Sequence, residues 1–219
     1  MMNKFPIVAA LIAAGVLTSQ SALAQSSAKR WWLHTGPVAV KFNTDTALIV
    51  AGAPVDGANA QAKDNTTLAF EIGYEVAPST IVSLTVGVPP TTTLTGKGGP
   101  VDGLELGRAK YAPAVLSAHY HFDAGVVKPY VGVGINYTMI LDSRDGAVAN
   151  LDVKNAWGAV IQAGVDVPLN SAWFLFADLK KIYLKTTATG TVPAFGNPPA
   201  EAKVRLDPLL VNAGVGWRF

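Results

Sequence analysis

Leu209-Leu210-Val211-Asn212-Ala213-Gly214-Val215-Gly216-Trp217-Arg218-Phe219 closes the chain, and its reading decides the fold. A β-strand sends successive side chains to opposite faces. At that period Leu209, Val211, Ala213, Val215, Trp217 and Phe219 share one wholly apolar face. Leu210, Asn212, Gly214, Gly216 and Arg218 share the other, which is mostly small, polar or charged. The apolar face can meet hydrocarbon, and the mixed one can line a lumen. A final strand of this kind suits a membrane barrel, whose last strand must pair with its first to remove the sheet edge.

Composition agrees. The chain has 219 residues, a length for one domain, and half of them are hydrophobic while only 15% are charged. Beyond residue 24 there is no apolar run of about 18 residues, so no transmembrane helix absorbs that hydrophobicity. A formal charge of +2 gives no basic patch to assign to nucleic acid. Cysteine is absent, so sheet closure rather than disulfides has to hold the fold. Residues 1–24 read as a cleaved signal peptide: Lys4 is the positive start, residues 5–18 are apolar, and Ala22-Leu23-Ala24 is the cleavage site. The mature chain, residues 25–219, is then one domain beginning at Gln25.

Period-two stretches occur at residues 30–42, 66–76, 81–88, 109–122, 128–139, 155–167, 172–185 and 203–219. The second is the cleanest: Leu68, Phe70, Ile72, Tyr74 and Val76 alternate with Thr67, Ala69, Glu71, Gly73 and Glu75. Connections at 43–65, 89–108, 140–154 and 186–202 are long, and those at 77–80, 123–127 and 168–171 are short. They alternate strictly. The expectation is an all-β fold: an eight-stranded antiparallel transmembrane β-barrel with four long external loops and three short periplasmic turns. Both termini then lie in the periplasm of a Gram-negative bacterium. So oriented, Trp31, Tyr74, Tyr120, Phe122, Trp173, Trp217 and Phe219 fall at one level, and Tyr111, Tyr137, Trp157 and Tyr183 at another. These are read as two interfacial girdles.

Three further segments carry a resemblance: Lys128-Pro129-Tyr130-Val131-Gly132-Val133-Gly134-Ile135-Asn136-Tyr137-Thr138, Asp152-Val153-Lys154-Asn155-Ala156-Trp157-Gly158, and Val204-Arg205-Leu206-Asp207-Pro208. With Asn65-Thr66-Thr67-Leu68 and Val86-Gly87-Val88-Pro89 they make the chain similar to the OmpW family of outer-membrane proteins, and within it to the AlkL-type hydrophobic-uptake subgroup. The resemblance implies a barrel with a narrow apolar lumen, porin-like passive entry of small hydrophobic molecules from outside, and sideways exit into the membrane. It also implies that the aromatic last strand is recognised by the barrel-insertion machinery.

The residues support that path on their own terms. Inward positions toward the external end are apolar: Val38, Val40, Val115, Ile182, Leu184, Leu206 and Leu210 are the candidate ligand lining. Toward the periplasm they are Glu71, Glu75, His119, His121, Asp166, Asp178, Asn212 and Arg218, a candidate plug. Eight strands leave room for little beyond their own side chains, so charges of both signs there must pair and close the floor. Pro89, Pro90 and Pro113 lack an N–H and are expected to loosen pairing between the third and fourth strands. The seventh strand stays open: Phe174 and Phe176 either pack within the plug beside Asp178 or a bulge shifts the register. The facing of the first strand, and of His34 with it, is open too.

The expected partners are small hydrophobic solutes and the lipid and lipopolysaccharide of the outer membrane, with no cofactor, metal or nucleic acid. His119 and His121 share a face and could chelate, but hydrogen bonding inside a plug suits them better. Asp142, Asp145 and Asp152 fit no calcium-loop spacing. Gly132 and Gly134 sit in a strand with no helix after it, so they make room rather than bind a dinucleotide. No external loop contains histidine, which leaves a nucleophile–base pair unsupported, so the protein is read as no enzyme. The alternative to transport is a structural, adhesive or receptor barrel, which has no need of an apolar upper lumen.

Overall fold

The computed structural model describes residues 30–219; the signal peptide read at residues 1–24 lies outside the described residues. In chain order the strands are β1 (Trp31–Lys41), β2 (Asp45–Val50), β3 (Ala53–Pro54), β4 (Asn59–Ala62), β5 (Asn65–Ala77), β6 (Thr80–Gly87), β7 (Thr91–Lys97), β8 (Glu105–His121), β9 (Lys128–Asp145), β10 (Ala149–Val153), β11 (Ala156–Pro168), β12 (Trp173–Thr191), β13 (Pro199–Arg205) and β14 (Leu209–Arg218). Eight of them form a closed antiparallel ring, β1-β5-β6-β8-β9-β11-β12-β14. Closure falls where the terminal strand required it: β14 pairs with β1 through Leu33↔Trp217, Val38↔Asn212 and Lys41↔Leu209. The ring leaves no strand edge there for another chain to extend.

Alternation holds around the wall. Leu68, Phe70, Ile72 and Val76 face out from β5, Val131, Val133 and Ile135 from β9, and Leu209, Val211, Val215 and Trp217 from β14. Alternating with them, Ala69, Glu71, Tyr130, Asn136 and Asn212 are buried. At the end that carries both termini the connections are tight. Ser79 takes a positive φ of 62° in the first, and in the third Asn170 Oδ1 accepts the N–H groups of Ala172 and Trp173, 2.9 Å each. Trp31 lies against Tyr74 and Trp217 against Phe219, with ring centroids 4.8 and 4.6 Å apart. Tyr137 and Trp157, 4.5 Å apart, mark the other level. Tyr111 does not join them. It is buried in the lumen, because it shares the inward parity of Val115 on β8, and its hydroxyl bonds the Asn65 side chain.

The long connections carry β-structure of their own. Strands β8, β9 and β12 run past the upper girdle to lengths of 17, 18 and 19 residues. β12 pairs there with β10 and β13, β13 with β2, and β7 with β4 and β8. Residues 89–108 and 186–202, read from the sequence as long loops, thus extend the wall. Their threonines are β-formers, and Thr92, Leu94 and Gly96 alternate against a neighbour. The strand read across residues 203–219 is in fact two. Asp207 has φ 32° and Pro208 follows it, which ends β13 at Arg205 and restarts the chain as β14.

Candidate functional site

Inside the ring, apolar and polar side chains separate by height. Toward the loops lies a cavity of about 70 Å³, roughly five times the room one water needs. Of the lining read from sequence, Val40, Ile182, Leu184, Leu206 and Leu210 border it. Val115 lies beneath, packed with Ala156, Val160, Ile182 and Leu184, and Val38 is buried at the cross-strand position of Asn212. Phe42, Leu94, Tyr111, Ile140 and Val153 also line the cavity and were missed. Leu94, Ile140 and Val153 sit on segments read as loops; Tyr111 was placed by height instead of parity. A second apolar chamber of about 60 Å³ lies among the upper strands and shares Ala62, Leu94, Ala188 and Val204 with the first.

Below Val115 the lumen turns polar. Glu71 accepts hydrogen bonds from Ser83 Oγ (2.7 Å) and Lys180 Nζ (3.0 Å). Lys180 also donates to Asp178 Oδ1 at 2.6 Å, and Asp178 Oδ2 accepts from the Tyr130 hydroxyl at 2.8 Å and from Gln162 Nε2 at 3.1 Å. His34 lies between Glu71 and Asp166, 3.8 and 3.5 Å away. His119 Nε2 reaches Ser83 Oγ, Ser117 Oγ and Glu71 Oε1 at 2.9, 3.0 and 3.3 Å. His121 and Arg218 each approach Asp166 at 3.8 Å. Two predicted plug residues stand outside this network: Asn212, and Glu75, half-buried in a cleft with Trp32, Ser79 and Lys128. Asn212 is buried.

Aromatic rings fill what the charges leave. Phe174 and Phe176 do point inward without a register shift, and His34 stacks on Phe176 at 4.1 Å. Tyr130 lies on His121 at 4.6 Å, and the Arg218 guanidinium sits 5.3 Å from the Phe174 ring centre. Glycine makes room for several of these rings. A Cβ on Gly216 would come within 2.2 Å of Phe174, and one on Gly164 within 2.4 Å of Tyr130. Lys180 is the residue that sequence reasoning most clearly missed. Its parity with Asp178 and Ile182 on β12 was the available signal, and it is 2% exposed. Lys181, outward as that parity requires, donates to the Asp207 carbonyl.

Above the floor the wall ladder is interrupted between β6 and β7, as it is between β13 and β14 at residues 206–208. The β6–β8 ladder runs from Thr80↔Tyr120 to Val86↔Ala114, and the β7–β8 ladder resumes at Thr91↔Lys110. Between them Val88 donates to Leu68 on the other side, and the Pro90 carbonyl accepts from Tyr111 N–H at 3.1 Å. Pro89, Pro90 and Pro113 sit in this interval, and Pro113 borders the cavity. Outside the membrane belt, Asp145 accepts from the N–H groups of Asn150 and Leu151, both 2.9 Å, which hold its carboxyl below the ordinary aspartate range.

A closed eight-stranded ring, apolar outside, girdled by aromatics and polar at one end of its lumen, defines a membrane-spanning β-barrel of the bacterial outer-membrane type. The chain belongs to the OmpW family, whose model matches residues 30–219. It is 39% identical over 190 residues to the dibenzothiophene metabolism operon protein PahQ of Pseudomonas aeruginosa, covering 86% of this chain and 88% of that one. It is 33% identical over 173 residues to the outer membrane protein AlkL of Ectopseudomonas oleovorans, covering 78% and 74%. The solid-state NMR structure of AlkL in DMPC bilayers matches with a TM-score of 0.68 at 29% identity, over 92% of this chain and 96% of that one. The crystal structure of OprG from Pseudomonas aeruginosa shares the fold, with a TM-score of 0.82 at 24% identity over 88% and 96%.

Proposed function

We propose that the protein is a passive outer-membrane channel for small hydrophobic molecules, with its loop end outside and its termini in the periplasm. The observation that carries this reading is an apolar cavity directly above a floor of paired charges. A hydrophobic solute entering the two chambers leaves water and gains about 0.8 kcal/mol per buried methylene. It cannot continue downward, because the Lys180–Glu71–Asp178 layer offers it only desolvated charge. The interruption at Pro89, Pro90 and Pro113 is the proposed sideways exit into lipid. The names of two relatives favour the same class of solute, since one belongs to a dibenzothiophene operon and AlkL resembles the chain in both sequence and fold.

Uptake of an alkane or aromatic ester into cells with and without the protein tests it. Leu210→Glu places a charge on the cavity wall and is expected to abolish uptake while the barrel stays folded, shown by its heat-dependent mobility shift. Folded Leu210→Glu protein with unchanged uptake refutes the cup. Replacing Pro89, Pro90 and Pro113 together by Ala should slow uptake at constant solute binding; unaltered uptake removes the exit.

A further inference from the structure

We propose that the outer face of β11, β12 and β13 is a built site for a phosphorylated membrane lipid, of the lipid A kind that forms the outer leaflet. Lys185 and Arg205 are cross-strand partners on β12 and β13, and Lys203 faces Thr187 two pairs further up, on the same face. Lys154 joins them from the neighbouring segment: its N–H donates to the Thr187 carbonyl, and its carbonyl accepts from Thr186 Oγ1 at 2.6 Å. All four cationic side chains are exposed, and together they border one surface groove of about 490 Å³.

The groove is short of counter-charge. Asp45, opposite Arg205 on β2, is the one carboxylate bordering it. Lys154 pairs with Asp152. Asp207 Oδ1 is held by the Leu184 N–H, and its other oxygen lies a loose 3.9 Å from Arg205. Among the described residues neither Lys185 nor Lys203 makes an ion pair. A phosphate monoester would supply what they lack, through charge-assisted bonds shared with the Thr187 hydroxyl.

A second groove, of about 590 Å³, continues from the first toward the membrane and shares Lys185 and Arg205 with it. Its floor is Gly158 and Ala159, and its walls are Ile135, Trp157 and Tyr183. Trp157 is 67% exposed and Tyr183 50% exposed, at the level of the upper girdle. Small residues between large aromatics make an apolar trough that a hydrocarbon chain can lie in. Cations above and a trough below match both ends of one amphiphile, which a free anion would not need. A lipid held here would sit on the wall that Trp157 and Tyr183 present to the bilayer.

The assignment rests on the loop-outward orientation proposed above, and it is tested without any transport. The delipidated full-length barrel in detergent is titrated with bisphosphorylated lipid A, with the same lipid dephosphorylated, and with inorganic phosphate, and bound lipid is counted by native mass spectrometry. Lys185→Gln with Lys203→Gln should weaken the bisphosphorylated lipid about thirtyfold, taking each cation near a lipid surface at its usual worth. Trp157→Ala should weaken it too, and inorganic phosphate should fail to displace it. Equal binding of dephosphorylated lipid, unchanged binding by the double variant, or displacement by inorganic phosphate overturns the site. Labelling a cysteine placed at Gly103 on intact cells reads the orientation separately, so a failed uptake assay and a failed lipid site are told apart.

Discussion

Replacing Lys180 by Met should destabilise the barrel by about 3–5 kcal/mol, the range for removing one partner of a buried ion pair. The geometry explains why so conservative a change in shape is severe. Lys180 Nζ lies 3.0 Å from Glu71 Oε2 and 2.6 Å from Asp178 Oδ1, and all three side chains are almost fully buried. At an effective dielectric near 20, a unit pair 3 Å apart attracts by about 5 kcal/mol, which offsets the several kcal/mol that burying each charge costs. Take the cation away and the desolvation of two carboxylates remains without its counter-charge. Tyr130, Gln162 and Ser83 still donate to them, so the loss stays within the range rather than doubling. Urea titration of the barrel in lipid vesicles, followed by tryptophan fluorescence, measures the change. A triple variant, Lys180→Met with Glu71→Gln and Asp178→Asn, removes the charges as a set and should regain most of the loss. A neutral Lys180→Met, or a triple variant worse than the single one, refutes the view that pairing closes the floor. The same variant discriminates between exits. A loosened floor raises ion conductance, while sideways exit leaves hydrophobic uptake where it was; uptake rising with conductance would show that solutes leave through the floor.

Three smaller tests use the same logic. Gly216→Ala should destabilise by about 1–3 kcal/mol through overpacking, since its Cβ would meet the Phe174 ring at 2.2 Å, and urea titration checks it. Tyr111→Ala should enlarge the cavity and break the bond to Asn65, so that bulkier solutes are taken up faster relative to small ones in a competition assay. Asp145 has its carboxyl lowered in the folded chain by the Asn150 and Leu151 N–H groups, so its contribution is complete above the ordinary aspartate value of about 3.9 and is lost as pH falls below it. The protection of the Asn150 and Leu151 amides, measured as exchange relative to the intrinsic rate at each pH, should therefore fall at low pH, and Asp145→Asn should flatten that dependence.

The sheet was legible in the sequence because period two is a local property. Leu68 to Val76 alternate whatever surrounds them, and an apolar face that long has few destinations besides lipid. Height was legible for the same reason, which is how Val40, Leu210, His119 and Asp166 could be sorted before any contact was known. Two things were not. The upper strands were hidden because Gly96, Pro100 and Pro193 read as breakers, while the Thr residues among them pair only once a neighbouring strand stands beside them. Lys180 was missed because parity turns it inward beside Asp178 but names no partner for its ammonium; the outward, snorkelling reading belonged to Lys181. Only the carboxylates of β5 and of its own strand make an inward ammonium tolerable, and β5 is 109 residues away in sequence.

The inward positions of β8 show how the two halves of the proposed path are fitted to each other. From the loop end they read Tyr111, Pro113, Val115, Ser117, His119 and His121. The first two border the cavity, Val115 is packed beneath it, and the last three belong to the polar floor. A strand rises about 3.3 Å per residue, so successive inward side chains are about 7 Å apart. The place where the wall ladder fails, beside Pro113, is therefore a single inward step above the place where the lumen stops being apolar. On the proposed path, a solute stopped at Val115 would rest level with the gap between the β6–β8 and β7–β8 ladders. Neither feature would move material alone. An opening higher up would release the solute before it left the polar surface layer, and a floor lower down would leave it below the opening. Because both are written on one strand, two residues apart, a change in the loops above leaves their spacing on β8 unaltered, and the proposed exit stays beside the floor.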